Sequence, residues 1–262
     1  MNDTETKPTI LITGASSGIG KGISLKYAKE EKANLVITAR NVEKLNELKT
    51  ELESLGSKVL VVQTDVTKSE DLKNCVAKTI ETFGRIDVLI NNAGMGYTAN
   101  IWELTDDQIN QMIDTDIKGT ILMAKYVSEV MVKQKSGHIV NMSSVAGYFG
   151  TPKWSVYSAA KYAVRGFSRA IRYELQEYGV SVTSIHPGPI QTEFFDRGKI
   201  EINQKTLMPL DEFINEMYKA IKKKKVRAII PFSFAVMQFI MRIFPFTKDW
   251  IIGAMRKTYL NQ

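Results

Sequence analysis

A single cysteine, two histidines and the absence of any long apolar run set the first limits on this chain of 262 residues. One thiol, Cys75, cannot close an intramolecular disulfide, and no Cys/His cluster has metal-ligand spacing. Neither a disulfide scaffold nor a metal centre is therefore expected. Cys75 follows Asp71-Leu72-Lys73-Asn74 in a helical pattern, the setting of a small buried hydrophobe rather than of a reactive thiol. No segment reaches the roughly 20 apolar residues that a membrane-spanning helix requires. The start, Met1-Asn2-Asp3-Thr4-Glu5-Thr6, is polar and lacks an apolar signal core, so a reducing cytoplasm is the expected compartment. Repeats, low-complexity runs and linkers are missing as well, which points to one domain over residues 1–262. Without a recognised module or interleaved basic and aromatic residues, nucleic acid is excluded as a partner.

Acidic residues are scarce only toward the end. Residues 199–262 hold 12 Lys/Arg against 5 Asp/Glu, whereas residues 1–198 hold 23 of each, so the whole net charge of +7 belongs to the last quarter. The composition is otherwise that of a globular protein with a sizeable core, 44% hydrophobic and 24% charged.

What is present is an alternation. Short Val/Ile-rich runs lie at Thr9–Thr13, Leu35–Thr38, Val59–Val62, Val88–Ile90, His138–Met142, Val180–Ile185 and Arg227–Ile230. Between them fall helical patterns near 18–31, 42–55, 69–83, 106–134, 157–178 and 211–225. Strands alternating with long helices imply βαβ units and a parallel sheet, and near-continuous apolar strands imply helices on both of its faces. Two stretches break the rhythm. Residues 187–210 form a long connection of the kind that binds substrate or acts as a lid, and residues 232–262 form an apolar and basic extension.

Directly after the first strand comes Thr13-Gly14-Ala15-Ser16-Ser17-Gly18-Ile19-Gly20, opening a helix. Glycines there allow a tight turn and close approach of a pyrophosphate, and the helix start supplies N–H donors and positive dipole. Further motifs follow in order: Asp65-Val66, Asn91-Asn92-Ala93-Gly94, Ser144, Tyr157-Ser158-Ala159-Ala160-Lys161, and Pro187-Gly188-Pro189-Ile190-Gln191-Thr192. Together, across about residues 8 to 230, these resemble the short-chain dehydrogenase/reductase family in its standard-length form. The resemblance implies a three-layer, doubly wound Rossmann fold with seven parallel strands in the order 3-2-1-4-5-6-7. It also implies hydride transfer between a nicotinamide and an alcohol or carbonyl.

Where NAD-using members carry Asp at the end of the second strand this chain has Ala39, followed by Arg40, whose guanidinium suits a 2′-phosphate. NADP(H) is accordingly the expected cofactor, with Ser16 and Ser17 adding hydroxyl contacts beside Gly14, Gly18, Ile19 and Gly20. By the resemblance, Asp65 and Val66 flank the adenine, Asn91, Ala93 and Gly94 support the adjoining ribose, and Pro187, Gly188, Ile190 and Thr192 lie near the nicotinamide.

Tyr157 and Lys161 are four residues apart on one helix and share a face. An ammonium there, together with the positive nicotinamide ring, favours the phenolate, so a pKa below the ordinary value is expected for Tyr157. The resemblance makes Tyr157 the acid/base, Lys161 its partner and a ribose ligand, and Ser144, thirteen residues before Tyr157, the residue that steadies the substrate oxygen. One departure stands out. Asp116 occupies the place of a family Asn that holds a water next to the lysine. It either keeps the water or binds Lys161 directly, which puts the proton relay in question. Met95, Tyr148, Phe149, Trp154, Phe194 and Phe195 are the substrate candidates, an apolar and aromatic set. His138 and His186 are read as structural.

The extension has three open readings: a helix over the substrate mouth, an oligomer contact, or an amphipathic segment on an anionic membrane. The family implies a homodimer or homotetramer through the helices at 106–134 and 157–178, with Gly119 permitting close approach. Two other functions compete with hydride transfer. One is an epimerase or dehydratase of the same family type, for which the chain lacks a large substrate domain. The other is a non-catalytic NADP-binding sensor or scaffold, for which Asp116 is the one hint.

Overall fold

The computed structural model describes residues 7–197 and 206–247, together with Trp250 and Gly253. Seven strands form one sheet: β1 (Thr9–Thr13), β2 (Asn34–Ala39), β3 (Lys58–Gln63), β4 (Val88–Asn91), β5 (Gly137–Met142), β6 (Val180–Pro187) and β7 (Arg227–Ile230). All neighbouring pairs are parallel, in the order β3-β2-β1-β4-β5-β6-β7. This is the expected doubly wound sheet, with the order reversing between β1 and β4.

Alternation along the strands divides the core in two. On one face Ile10, Ile12, Leu35 and Ile37 meet α1 (Gly18–Glu31), α2 (Val42–Ser54) and α8 (Leu210–Lys222), through Tyr27, Leu48 and Phe213 among others. On the other, Leu11 and Val36 meet α3 (Ser69–Phe83), α5 (Thr120–Gln134) and α6 (Ser155–Leu175), through Leu72, Cys75, Val127 and Leu175. A strand covered by helices on both faces favours apolar residues throughout, which is why β1 and β2 read as near-continuous apolar runs, while β5 and β6 hold buried polar side chains in hydrogen bonds. Burial pushes the Cys75 thiol up to about 11, consistent with a packing role.

Three features differ from the periodicity. The pattern over 106–134 is not one regular helix: α4 (Asp106–Met112) passes into a wider π turn at Ile113–Gly119 before α5 begins. Gly119, expected to let subunits approach, is buried within this turn, where a Cβ would stand 2.9 Å from the Val66 carbonyl oxygen. Its close approach is therefore within the chain. The 187–210 connection is pinned at its ends, because Gln191 N donates to the Met208 carbonyl at 2.9 Å and Met208 N to that of Pro189 at 3.0 Å. It includes the short helix α7 (Phe194–Arg197), while residues 198–205 lie outside the described residues. Finally, the extension opens with α9 (Phe232–Ile243), whose Phe234 and Met241 pack on Val145 and Phe149. Most of the extension beyond residue 247 lies outside the described residues.

Candidate active site

A cavity of about 730 Å³ runs along the C-terminal ends of the strands, where ligands bind in open α/β sheets. At one end it is lined by Gly14, Ser16, Ser17, Gly18 and Ile19 from the β1–α1 turn, by Arg40 after β2, by Asp65 and Val66 after β3, and by Ala93 and Gly94 after β4. At the other end stand Ser144, Tyr157 and Lys161, with Met95, Phe149, Trp154, Phe194 and Phe195, and with Pro187, Gly188, Ile190 and Thr192 after β6. The structure thus gathers nearly all the candidates in one continuous space.

Four predicted residues are placed elsewhere. Gly20 is buried beneath the turn, where any Cβ would collide with the Gly14 carbonyl, so it packs helix against strand and does not face the cavity. Asn91 is also buried: its Nδ2 donates to the Thr120 carbonyl at 2.8 Å and to Asn141 Oδ1 at 3.3 Å, tying β4 to β5 and α5 rather than lining the cavity. Tyr148 turns away from the cavity, its ring 4.8 Å from His186 and 4.2 Å from the Arg165 guanidinium carbon. Asp116 lies fully buried behind the wall.

The glycine turn is clamped by a residue that pattern reading passed over. Asn92 Nδ2 donates to the Thr13 carbonyl at 3.0 Å, and the backbone N–H groups of Asn92 and Ala93 donate to Thr13 Oγ1 at 2.9 and 3.0 Å. The family-like run Asn91–Gly94 contained this signal in its second asparagine. Lys44, one helical turn beyond Arg40, adds a second cation to the same mouth, 3.8 Å from a Glu193 carboxylate oxygen. Phe234 contributes to the wall from α9, which no local motif announced.

At the other end, Lys161 Nζ meets Asp116 Oδ1 at 2.8 Å, and Asp116 Oδ2 accepts from Met95 N at 3.3 Å. The π turn aims this carboxylate inward, and Gly94 makes room for it: a Cβ there would be 2.6 Å from Asp116 Oδ1. Of the two arrangements left open by Asp116, the structure has direct binding to the lysine. Lys161 Nζ also lies 5.4 Å from the Tyr157 ring centre.

From the protein's own groups, the Tyr157 phenol stands above its ordinary value: removal from water pushes it up, Lys161 pulls it down, Asp116 pushes it up again, and a hydrogen bond with Ser144 pulls it down. Burial likewise pushes the Asp116 carboxyl up against the pull of Lys161. Burial favours the neutral amine of Lys161, but the Asp116 carboxylate and Tyr157 outweigh it and hold the ammonium. The Tyr157 ring sits between Trp154, at 5.1 Å, and Phe194, at 5.8 Å. Ser144 Oγ accepts from Ala146 N at 3.1 Å, whereas the Ser143 hydroxyl donates to the Lys161 carbonyl at 2.9 Å and is engaged in holding α6.

The model of the family described as short chain dehydrogenase matches residues 8–201. This chain belongs to the short-chain dehydrogenase family. An uncharacterized oxidoreductase of Thermotoga maritima is 36% identical over 229 residues, covering 87% of this chain and 88% of that one. A short-chain dehydrogenase from Sphingobium yanoikuyae, solved with NADPH, superposes with a TM-score of 0.81 at 30% identity, covering 95% and 94% of the two chains. A family member from Burkholderia phymatum, solved with NAD, gives 0.83 at 21% identity over 90% and 93%, a likeness of fold. Among the described residues no cluster of His, Cys, Asp and Glu suits a metal ion, and no helix is long and apolar enough to cross a membrane.

Proposed function

We propose that this member of the family is an NADP(H)-dependent oxidoreductase interconverting a hydrophobic carbonyl compound and its alcohol, with Tyr157, Lys161 and Ser144 as catalytic residues. The observation that carries the reading is one continuous cavity with a cationic, glycine-turned end and a phenol–ammonium end. The residues fit a dinucleotide. The N-terminus of α1 and the Gly14–Gly18 turn present backbone donors suited to a pyrophosphate. Arg40 and Lys44 provide positive charge where a 2′-phosphate would lie, and no carboxylate takes the position of Ala39. Ala93, Gly94, Ile190 and Thr192 complete the slot toward Tyr157. Hydride exchange is the chemistry the nicotinamide supplies when bound.

The protein's own contribution is the proton. As negative charge gathers on a carbonyl oxygen, the Tyr157 O–H donates to it, and in the reverse direction the phenolate removes the alcohol proton. Ser144 Oγ–H steadies the same oxygen. Lys161 stabilises the phenolate left behind, while Asp116 holds Lys161 in place and offsets part of its charge. A phenol above its ordinary value remains protonated over a wider pH range, the form that carbonyl reduction needs. Phe149, Trp154, Phe194 and Phe195 exclude water around the reacting group and favour an apolar substrate. A homodimer or homotetramer through α4, α5 and α6 belongs to the same proposal.

The test is oxidation of NADPH and of NADH with a panel of aldehydes, ketones and quinones, repeated with Tyr157→Phe. The expected result is turnover with NADPH that Tyr157→Phe reduces by about 10²–10⁴-fold while NADPH binding is kept. Full activity in that variant would remove Tyr157 from the mechanism. NADPH binding without turnover across the panel would favour the sensor.

A further inference from the structure

Helix α9 carries two apolar faces back to back. Phe234, Met237 and Met241 face inward, onto Val145 and Phe149 and, through Phe234, onto the cavity wall. Phe232, Val236, Phe239 and Ile243 recur at helical spacing on the opposite side and are exposed, Phe232 by 77% and Phe239 by 61%. The chain continues through Phe246 and Trp250, exposed by 81% and 76%. A helix that needed only to cover the cavity would carry polar residues on its outer side. Contiguous apolar surface of this kind marks an interaction site.

Charge identifies the occupant. From residue 222 to the end the chain has nine Lys/Arg and one acidic residue, Asp249. Lys223, Lys224, Lys225 and Arg227 are exposed just before α9, Arg242 is exposed on it, and Lys248, Arg256 and Lys257 follow in the sequence. Lys222 is paired with Glu31 at 3.0 Å and is not counted toward this surface. A second copy docked on the same face would bring two like-charged tails together, whereas an anionic bilayer answers both the charge and the apolar stripe. At 12 residues α9 is about 18 Å long, against roughly 30 Å of bilayer hydrocarbon, so it can lie in the interface but not cross it.

We propose that α9 docks this protein on the surface of an anionic lipid bilayer, with Phe232, Val236, Phe239 and Ile243 entering the headgroup–acyl boundary and the exposed Lys223, Lys224, Lys225, Arg227 and Arg242 meeting lipid phosphates. Because the inner face of α9 forms part of the cavity wall, docking sets the cavity beside the lipid.

The test sediments the full-length protein with vesicles of phosphatidylcholine alone, or of phosphatidylcholine with phosphatidylglycerol, at low and high salt. Light scattering measures its mass without vesicles. Binding to the anionic vesicles is expected, weakened by salt, and roughly tenfold or more weaker for the combined variant Phe232→Ser, Phe239→Ser, Ile243→Ser with unchanged circular dichroism and melting. Absence of binding by the parent protein overturns the proposal, as does equal binding by the variant. A parent that ignores vesicles but is dimeric, with a monomeric variant, assigns the face to a second copy and also overturns it. No step involves turnover, so the outcome is independent of the proposed chemistry.

Discussion

Asp116 and Lys161 meet at 2.8 Å with almost no access to solvent, and this contact sets the charge that Tyr157 experiences. A buried pair of this kind is costly to break from one side, since the remaining charge is left without a partner. Asparagine at 116 keeps the shape and a carbonyl oxygen for the ammonium, but removes a carboxylate that pushes the Tyr157 phenol upward. The expected outcome of Asp116→Asn is therefore activity similar to or higher than the parent. The alkaline decline of carbonyl reduction and the rise of alcohol oxidation should both move to lower pH. Profiles of kcat/KM against pH in both directions check this. A shift to higher pH would mean that Asp116 acts on Tyr157 in some other way, and complete loss of activity would give the carboxylate a specific role.

Two buried histidines on neighbouring strands tie the central sheet together. His138 on β5 lies 2.7 Å from Thr183 Oγ1 on β6, and His186 at the end of β6 lies 2.9 Å from Ser184 Oγ and 3.3 Å from the Ser144 carbonyl, the turn that carries the candidate catalytic serine. Burial pushes both down to about 4 from the ordinary 6.5. A base whose folded value is depressed takes up its proton more readily when unfolded, so stability is lost as pH falls from 6.5 toward 4, by about 3 kcal/mol for each histidine. Thermal melting across that window should fall well before the carboxylates titrate, and a flat Tm there would contradict the account. The strands themselves were legible because β1 and β2 are buried on both faces, which favours runs such as Ile10-Leu11-Ile12 and Leu35-Val36-Ile37. The π turn at Ile113–Gly119 was not, since one wider turn leaves the apolar spacing of the flanking helices almost unchanged. Nor could the sequence decide between Asn91 and Asn92, because which side chain faces the cleft depends on the pairing of β4 with β1 and β5. Local spacing likewise could not give the fate of Tyr148, which is set by its tilted ring contact with His186 and by the Arg165 guanidinium over its face.

Across the whole molecule the cavity joins residues from both halves of the sheet, from Arg40 after β2 to Thr192 after β6. A ligand that occupies its full length binds the folded state and has no counterpart site in the unfolded chain. It should therefore stabilise the protein by about 2.7 kcal/mol at a hundred times its Kd. For a chain of this size that corresponds to a rise in Tm of roughly 5–10 °C. If Arg40 and Lys44 meet a 2′-phosphate, NADPH should raise Tm more than NADH at equal concentration. Arg40→Ala should then weaken NADPH by about 2 kcal/mol, roughly thirtyfold in Kd, and leave NADH nearly unchanged, because only the phosphate contact is removed. Differential scanning fluorimetry with both nucleotides, on the parent and the variant, measures this without any substrate. Equal stabilisation by the two nucleotides in the parent would overturn the NADP assignment while leaving the fold and the catalytic end of the cavity untouched. The cationic mouth would then be read as serving solubility or the charge of the surface rather than the choice of cofactor.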